Sequence, residues 1–258
     1  MNDTGYVLDN AWKKARERLT LQERFADKAT RRRIIALGPA RGWHCLEAGA
    51  GAGSVARWLS ARVGPNGRVL AADLDTRFMA RLQKANLEVR RMDVVSEELP
   101  RAAFDFVHTR LLLIHLPARE AVMHKLVQSL KPGGWLLLEE REAAAVPIRM
   151  PALDKAWNAM EGGLRAGGVG TGWAHTMPAL LQQEGLIDIG AEGEIPVFQG
   201  DSVTADFWRV TWEQMRERMI ATGLVDNDGI DEAMRALRQP QEWFVAPAEF
   251  AAWGRRPA

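Results

Sequence analysis

The stretch Leu46-Glu47-Ala48-Gly49-Ala50-Gly51-Ala52-Gly53-Ser54 sets an acidic residue ahead of glycines at every second position. An apolar run leads into it, and Val55-Ala56-Arg57-Trp58-Leu59 follows at helical spacing, so the segment reads as strand, tight loop and helix start. Such a junction belongs to a parallel sheet with crossover helices and turns backbone amides toward a polar cofactor. The pattern is ExGxGxG. A dinucleotide fingerprint, GxGxxG, needs its third glycine at position 54, where this chain has Ser54.

Around that loop, strand and helix signals alternate. Residues 10–37 read as a charged, amphipathic helix stopped by Gly38-Pro39. Strand 44–48 leads through the loop to helix 54–63, and Gly64-Pro65-Asn66-Gly67 ends it. Strand 68–72 closes on Asp73, a helix is expected over 77–85, and a short strand over 88–92 closes on Asp93. Strand 104–108 precedes a helix over 118–130, which Lys131-Pro132-Gly133-Gly134 stops by turn chemistry before strand 135–139. This alternation predicts right-handed crossovers and an α/β, Rossmann-like fold. We expect a mostly parallel seven-stranded sheet with helices on both faces, an N-terminal helical lid, and a helical insertion before the last strand. In such sheets ligands bind outside the carboxyl ends of the strands, where Glu47, Asp73, Asp93 and Glu139 fall.

Beyond Glu142 the pattern loosens. Residues 151–165 read as helix, 162–172 as a glycine-rich loop, 178–184 as helix and 187–198 as one long strand. Residues 203–238 carry two helices rich in Trp and Met, and 243–253 a final strand. The expected organisation is a lid over 1–40, a cofactor-binding core over 41–142, and over 143–258 the rest of the sheet with acceptor-covering insertions, all one structural unit.

A net charge of +1 over 258 residues gives no basic stripe for nucleic acid and no pull toward an acidic membrane. No apolar run reaches the roughly 18 residues needed to span a bilayer, and the N-terminus lacks a signal-peptide pattern. The single cysteine, Cys45, fits a reducing compartment and reads as a small core residue. A cytoplasmic protein, monomeric or homodimeric, is the expectation.

The order of features over about residues 40–140 resembles class I S-adenosylmethionine-dependent methyltransferases, most nearly the small-molecule, ubiquinone/menaquinone-biosynthesis-like type. Carrying the resemblance are the glycine loop, Val69-Leu70-Ala71-Ala72-Asp73-Leu74-Asp75, Met92-Asp93-Val94 and Phe104-Asp105-Phe106-Val107-His108-Thr109-Arg110. Leu113-Ile114-His115-Leu116-Pro117 and Leu130-Lys131-Pro132-Gly133-Gly134 complete it. The resemblance implies S-adenosyl-L-methionine as cofactor and S-adenosyl-L-homocysteine as product.

The residues give that cofactor a site. Asp73, about 20 residues past the loop, is placed to accept both ribose hydroxyls, beside Leu74; a helix cap is its structural alternative, for which Asp75 is better placed. By resemblance, Asp93 and Val94 contact the adenine. Gly49, Ala50 and Gly51 bring backbone to the methionine moiety, and Glu47 orders that loop or meets the ammonium group. Thr109 and Arg110 match positions beside the methionyl end; Arg110 either pairs its carboxylate or lies on the surface. Tyr6 is a lid residue or a loop aromatic.

Methyl transfer from a sulfonium needs alignment in a dry pocket, and a base only where the acceptor must lose a proton. Of the five histidines, His115 and His175 are the candidates, with a structural His as the alternative for each. Glu139 and Glu140 are further candidates for a base or for binding a cationic acceptor. Asp226-Asn227-Asp228-Gly229 glances at a calcium loop, but Leu237 occupies the position of the required glutamate, so it reads as a helix start and no metal is expected. The reading is a methyltransferase acting on O or N of a small, partly apolar metabolite. Its alternative binds the cofactor without methyl transfer, in a structural or rearrangement-catalysing role.

Overall fold

The computed structural model describes residues 7–142 and 151–258, without the side chains of 151 and 152. Their elements run α1 (Ala15–Leu37), β1 (His44–Ala48), α2 (Ser54–Val63), β2 (Arg68–Asp73), β3 (Leu87–Arg91), β4 (Phe104–Arg110), α3 (Arg119–Ser129) and β5 (Leu130–Glu142). Then follow α4 (Pro151–Ala166), α5 (Met177–Gln183), β6 (Ile187–Glu194), β7 (Val197–Gln199), α6 (Val203–Ala221), α7 (Asn227–Ala236), β8 (Trp243–Val245) and β9 (Ala248–Arg255). Short 3-10 turns occupy Leu113–His115 and Ala174–Thr176.

The sheet has seven strands in the order β3-β2-β1-β4-β5-β9-β6, and the four pairings from β3 to β5 are all parallel. It is the Rossmann-like sheet expected, with its order reversing between β1 and β4. Val55, Ala56, Leu59 and Val63 of α2 bury against Cys45, Val69, Ala71 and Phe106. Away from their carboxyl ends these strands are largely apolar, as central parallel strands tend to be.

Two compact bodies share the chain. One comprises the described residues of Met1–Phe25, Arg141–Gly172 and Glu194–Glu249; the other comprises Ala26–Glu140, Trp173–Gly193 and Phe250–Ala258. In the first, Trp157 of α4 packs edge-on against Trp208 and Trp212 of α6, with centroids 4.5 and 4.9 Å away. Among the described residues no helix is long and apolar enough to cross a membrane.

Five expectations are corrected. Residues 77–85 form no helix: Asp75 Oδ1 accepts the Arg77 amide, and Thr76 and Met79 carbonyls accept from Met79 and Leu82 in successive tight turns. The glycine-rich loop does not begin at Gly162; α4 continues to Ala166, and its Gly162 and Gly163 sit where a Cβ would lie 3.1 Å from Thr222 or 3.2 Å from Arg218. Residues 187–198 split into β6 and β7 at Pro196, and 243–253 into β8 and β9 at Pro247. Proline has no amide to give a ladder, and the freed segments Val197–Gln199 and Trp243–Val245 pair antiparallel as a separate ribbon. Finally, Lys131-Pro132-Gly133-Gly134 does not stand outside β5. The strand passes through it with a register shift opposite Phe104 and Phe106, held by bonds between Gly133, Gly134 and Arg256.

Candidate active site

At the carboxyl end of β1 the chain leaves the sheet at Gly49, whose φ of +71° only glycine adopts freely, and where a Cβ would sit 3.1 Å from Leu112. Gly49 and Ala50 donate their amides to the Ala72 carbonyl at 2.9 and 3.1 Å. The Gly51 amide donates to Asp73 Oδ2 at 2.8 Å, and Asp75 donates to Oδ1 at 2.9 Å. Asp73 is thereby locked beside the loop. Burial pushes its carboxyl above the usual range, and the amides of Asp75 and Gly51 pull against that. Gly53, at φ +85°, ends the loop as the cap of α2; a Cβ there would lie 2.4 Å from Leu82 Cδ1.

The neighbouring strand ends complete the arc. Leu74 is 41% exposed next to Asp73, an apolar surface at the rim. Asp93 accepts the Val95 amide at 2.9 Å and the Ser96 hydroxyl at 2.7 Å, and these bonds, Ser96 foremost, lower its pKa. Val94 is buried. Thr109 is buried, and its hydroxyl has no hydrogen-bond partner among the described residues. Tyr6 lies outside the described residues.

Arg110 is engaged by α1. Its guanidinium donates to Thr30 Oγ1 at 2.9 Å and to Asp27 Oδ1 at 3.1 Å, and Asp27 also accepts from Ser54 Oγ at 3.0 Å. Glu139 is engaged too. Its Oε2 accepts from Thr30 at 2.6 Å and meets His108 Nε2 at 2.9 Å, while Oε1 meets Arg33 Nη1 at 2.5 Å. On the other side His108 Nδ1 lies 2.7 Å from Glu47 Oε2. Glu47, His108 and Glu139 thus form a buried row across β1, β4 and β5, with Thr30 and Arg33 of α1 closing it.

Burial alone would push the His108 imidazole down. The two carboxylates outweigh that and raise its pKa to about 9, so it is an imidazolium at neutral pH. Burial likewise opposes ionisation of Glu139, but His108, Arg110 and Arg33 bring its pKa to about 2. His108 was not among the sequence candidates. The register pairs it with Glu47, and Glu139 lies two residues past its partner Leu137, so one face of three adjacent strand ends carries acid, base and acid. That alignment was the available signal.

The two sequence-nominated histidines sit on 3-10 turns. Arg119, at the start of α3, stacks over Trp173 with 5.4 Å to the ring centroid, bringing the segment that carries His175 beside the one that carries His115. His175 is exposed and His115 half-buried. Glu140, fully buried, accepts the Leu113 amide at 2.8 Å and so fixes the His115 turn. Cys45 is wholly buried, and burial together with Asp105 and Glu47 pushes its thiol far up, which removes it as a nucleophile. Asp226 caps α7 through the Gly229 amide at 2.8 Å, the helix start expected. Among the described residues no cluster of three or more His, Cys, Asp or Glu is placed to hold a metal ion.

These residues fit an adenosyl cofactor. A half-buried carboxylate with acceptor capacity left, an apolar rim residue, a glycine turn that excludes a Cβ and an unpaired buried hydroxyl line one end of the sheet. Residues 46–138 match the methyltransferase domain model Methyltransf_11. Methyltransferase str2 of Strobilurus tenacellus is 36% identical over 113 residues, covering 43% of this chain and 39% of that protein. The chain thus spans about two fifths of the length of this curated relative. The YcgJ protein of Bacillus subtilis shares the fold at a TM-score of 0.59 and 16% identity, over 87% of this chain and 97% of its own. Phosphoethanolamine N-methyltransferase 2 of Haemonchus contortus, solved with S-adenosylhomocysteine, does so at 0.57 and 17%, over 94% of this chain and 53% of its own. Residues 46–138 thus resemble a methyltransferase domain, and the chain shares its fold with these solved proteins.

Proposed function

We propose that this chain transfers a methyl group from S-adenosylmethionine to an oxygen or nitrogen of a small, partly apolar metabolite, working in the cytoplasm as a monomer or homodimer. The observation that carries the reading is the lock between the glycine loop and Asp73, in which Gly51 and Asp75 amides hold the carboxylate at the end of β2. Asp73 retains lone pairs for a ribose diol, Leu74 gives an apolar contact, and Asp93 with Val94 stands where an adenine edge is read. Thr109 is proposed to stand beside the methionyl end through its backbone.

The cofactor supplies an electrophilic methyl on a sulfonium, whose departure needs no acid. The work left to the chain is alignment and exclusion of water. Arg110 supports this work from behind: tied to Thr30 and Asp27, it fixes α1. His115 and His175 are the groups proposed to take a proton where the acceptor carries one. Glu139 is paired with His108 and Arg33 and Glu140 accepts the Leu113 amide, so the imidazoles are preferred to them as the proposed bases.

Calorimetric titration with S-adenosylmethionine tests the reading. We expect binding to the full chain and a loss of about a hundredfold in Asp73→Ala, the scale of two hydrogen bonds to a charged group. Equal affinity in both proteins would overturn the assignment of Asp73. Binding with no methyl label passing to any of a panel of phenols, amines and acids would favour the cofactor-binding alternative.

A further inference from the structure

Arg18 of α1 is 1% exposed, and its Nε and Nη2 have no hydrogen-bond or ion-pair partner among the described residues. A buried guanidinium cannot shed its proton as a lysine can, so it stays charged and demands a counter-charge. The position along α1 is well defined. Four residues earlier Lys14 pairs with Glu213 of α6 at 2.6 Å, and seven residues later Phe25 packs on Phe207 with centroids 5.0 Å apart. Lys14, just ahead of α1, and Phe25 on it thus both meet α6, whereas Arg18 Nε and Nη2 between them meet no acceptor among the described residues.

The same body holds other donors in want of an acceptor. The indole N–H groups of Trp157, Trp208 and Trp212 are buried without hydrogen-bond partners among the described residues. Its unmatched acceptors, Asn10 Oδ1 and Gln214 Oε1, are neutral amide oxygens and cannot balance a charge. Among the described residues this helical body holds buried donors in excess and a guanidinium whose Nε and Nη2 meet no acceptor, an arrangement suited to an anion. We propose that the body built from α4, α6, α7 and the start of α1 binds a small oxyanion, the carboxylate or phosphate group of an organic ligand, on Arg18. The planar fork of the guanidinium suits either group through Nε and Nη2 together. This inference is independent of methyl transfer.

The test is calorimetric titration of the full chain with benzoate and, separately, with inorganic phosphate, on wild type and Arg18→Met. We expect saturable binding of at least one probe, weakened by about tenfold or more in Arg18→Met, with S-adenosylmethionine affinity unchanged. Stronger binding of benzoate assigns a carboxylate and stronger binding of phosphate a phosphate group. Removal of the buried guanidinium should also make ligand-free Arg18→Met melt at a higher temperature than wild type, while the ligand-induced shift disappears. Equal probe affinity in the two proteins, no saturable binding by wild type, or a lower melting temperature for Arg18→Met would each overturn the proposal.

Discussion

His108 stores a pH dependence that can be worked from the structure. Its pKa stands at about 9 against 6.5 for an unperturbed imidazole, so the folded state holds a proton that the unfolded chain releases. The stabilisation is complete below the unfolded value and lost as pH rises through the folded one. The linkage relation gives about 2.5 kcal/mol lost between pH 7 and pH 10, with the steepest part between the two pKa values. Urea unfolding of wild type and His108→Gln across that range isolates the effect, because other titrating groups are common to both. The substitution leaves the Glu47 and Glu139 carboxylates facing an uncharged amide, which costs about 3–5 kcal/mol near neutrality. The gap between the two proteins should then narrow by about 2.5 kcal/mol toward pH 10. Should His108→Gln fail to fold, Glu47→Gln serves instead, since removing one carboxylate must draw the His108 step toward neutral pH. A gap that stays constant from pH 7 to pH 10 would refute the charged row.

Further outcomes follow from the loop and the turns. Gly53→Ala forces a side chain into left-handed backbone and against Leu82, and should destabilise the protein by about 1–3 kcal/mol in thermal melts while weakening S-adenosylmethionine binding. Burial holds Asp73 above the usual carboxylate range, and the carboxylate is the form that accepts ribose hydroxyls. Cofactor affinity should therefore fall on acidification at a higher pH than for an ordinary aspartate, and Asp73→Asn should abolish that dependence. With a phenolic or ammonium acceptor, loss of the base by His115→Ala or His175→Ala should lower kcat about 10²-fold or more and remove the acid limb of the pH–rate profile, with the cofactor dissociation constant unmoved.

Much of the sheet was legible because its signals are local. Leu46 to Ser54 and Val69 to Asp75 each state strand, turn and polar terminus within a few residues, and the structure puts Asp73 against Gly51 as that grammar requires. Boundaries set by remote packing were not legible. Met79 and Leu82 of the turns over 77–85 pack close on Gly53, and Thr222 and Arg218 pack close on the glycines of α4, contacts with residues distant in sequence. The row through His108 was hidden for the same reason. Thr30 and Arg33 lie more than 70 residues upstream of it along the chain, and nothing in their helical pattern names Glu139 as partner. Arg110 reads locally as a residue beside the cofactor, whereas Asp27 and Thr30 claim it.

The buried row also bears on where this protein can be cut. The segment matched to the methyltransferase family ends at residue 138, one short of Glu139, and begins after Thr30 and Arg33. A fragment trimmed to the match would keep the Glu47–His108 pair but lose Glu139, Thr30 and Arg33, and with them the partner of His108 Nε2. The compact body, by contrast, runs from Ala26 through Glu140 in this region and retains every member. For chimeras and truncations, the boundary drawn by ion pairing is the one to respect, and homology alone would place the cut through the middle of a charge-neutral set.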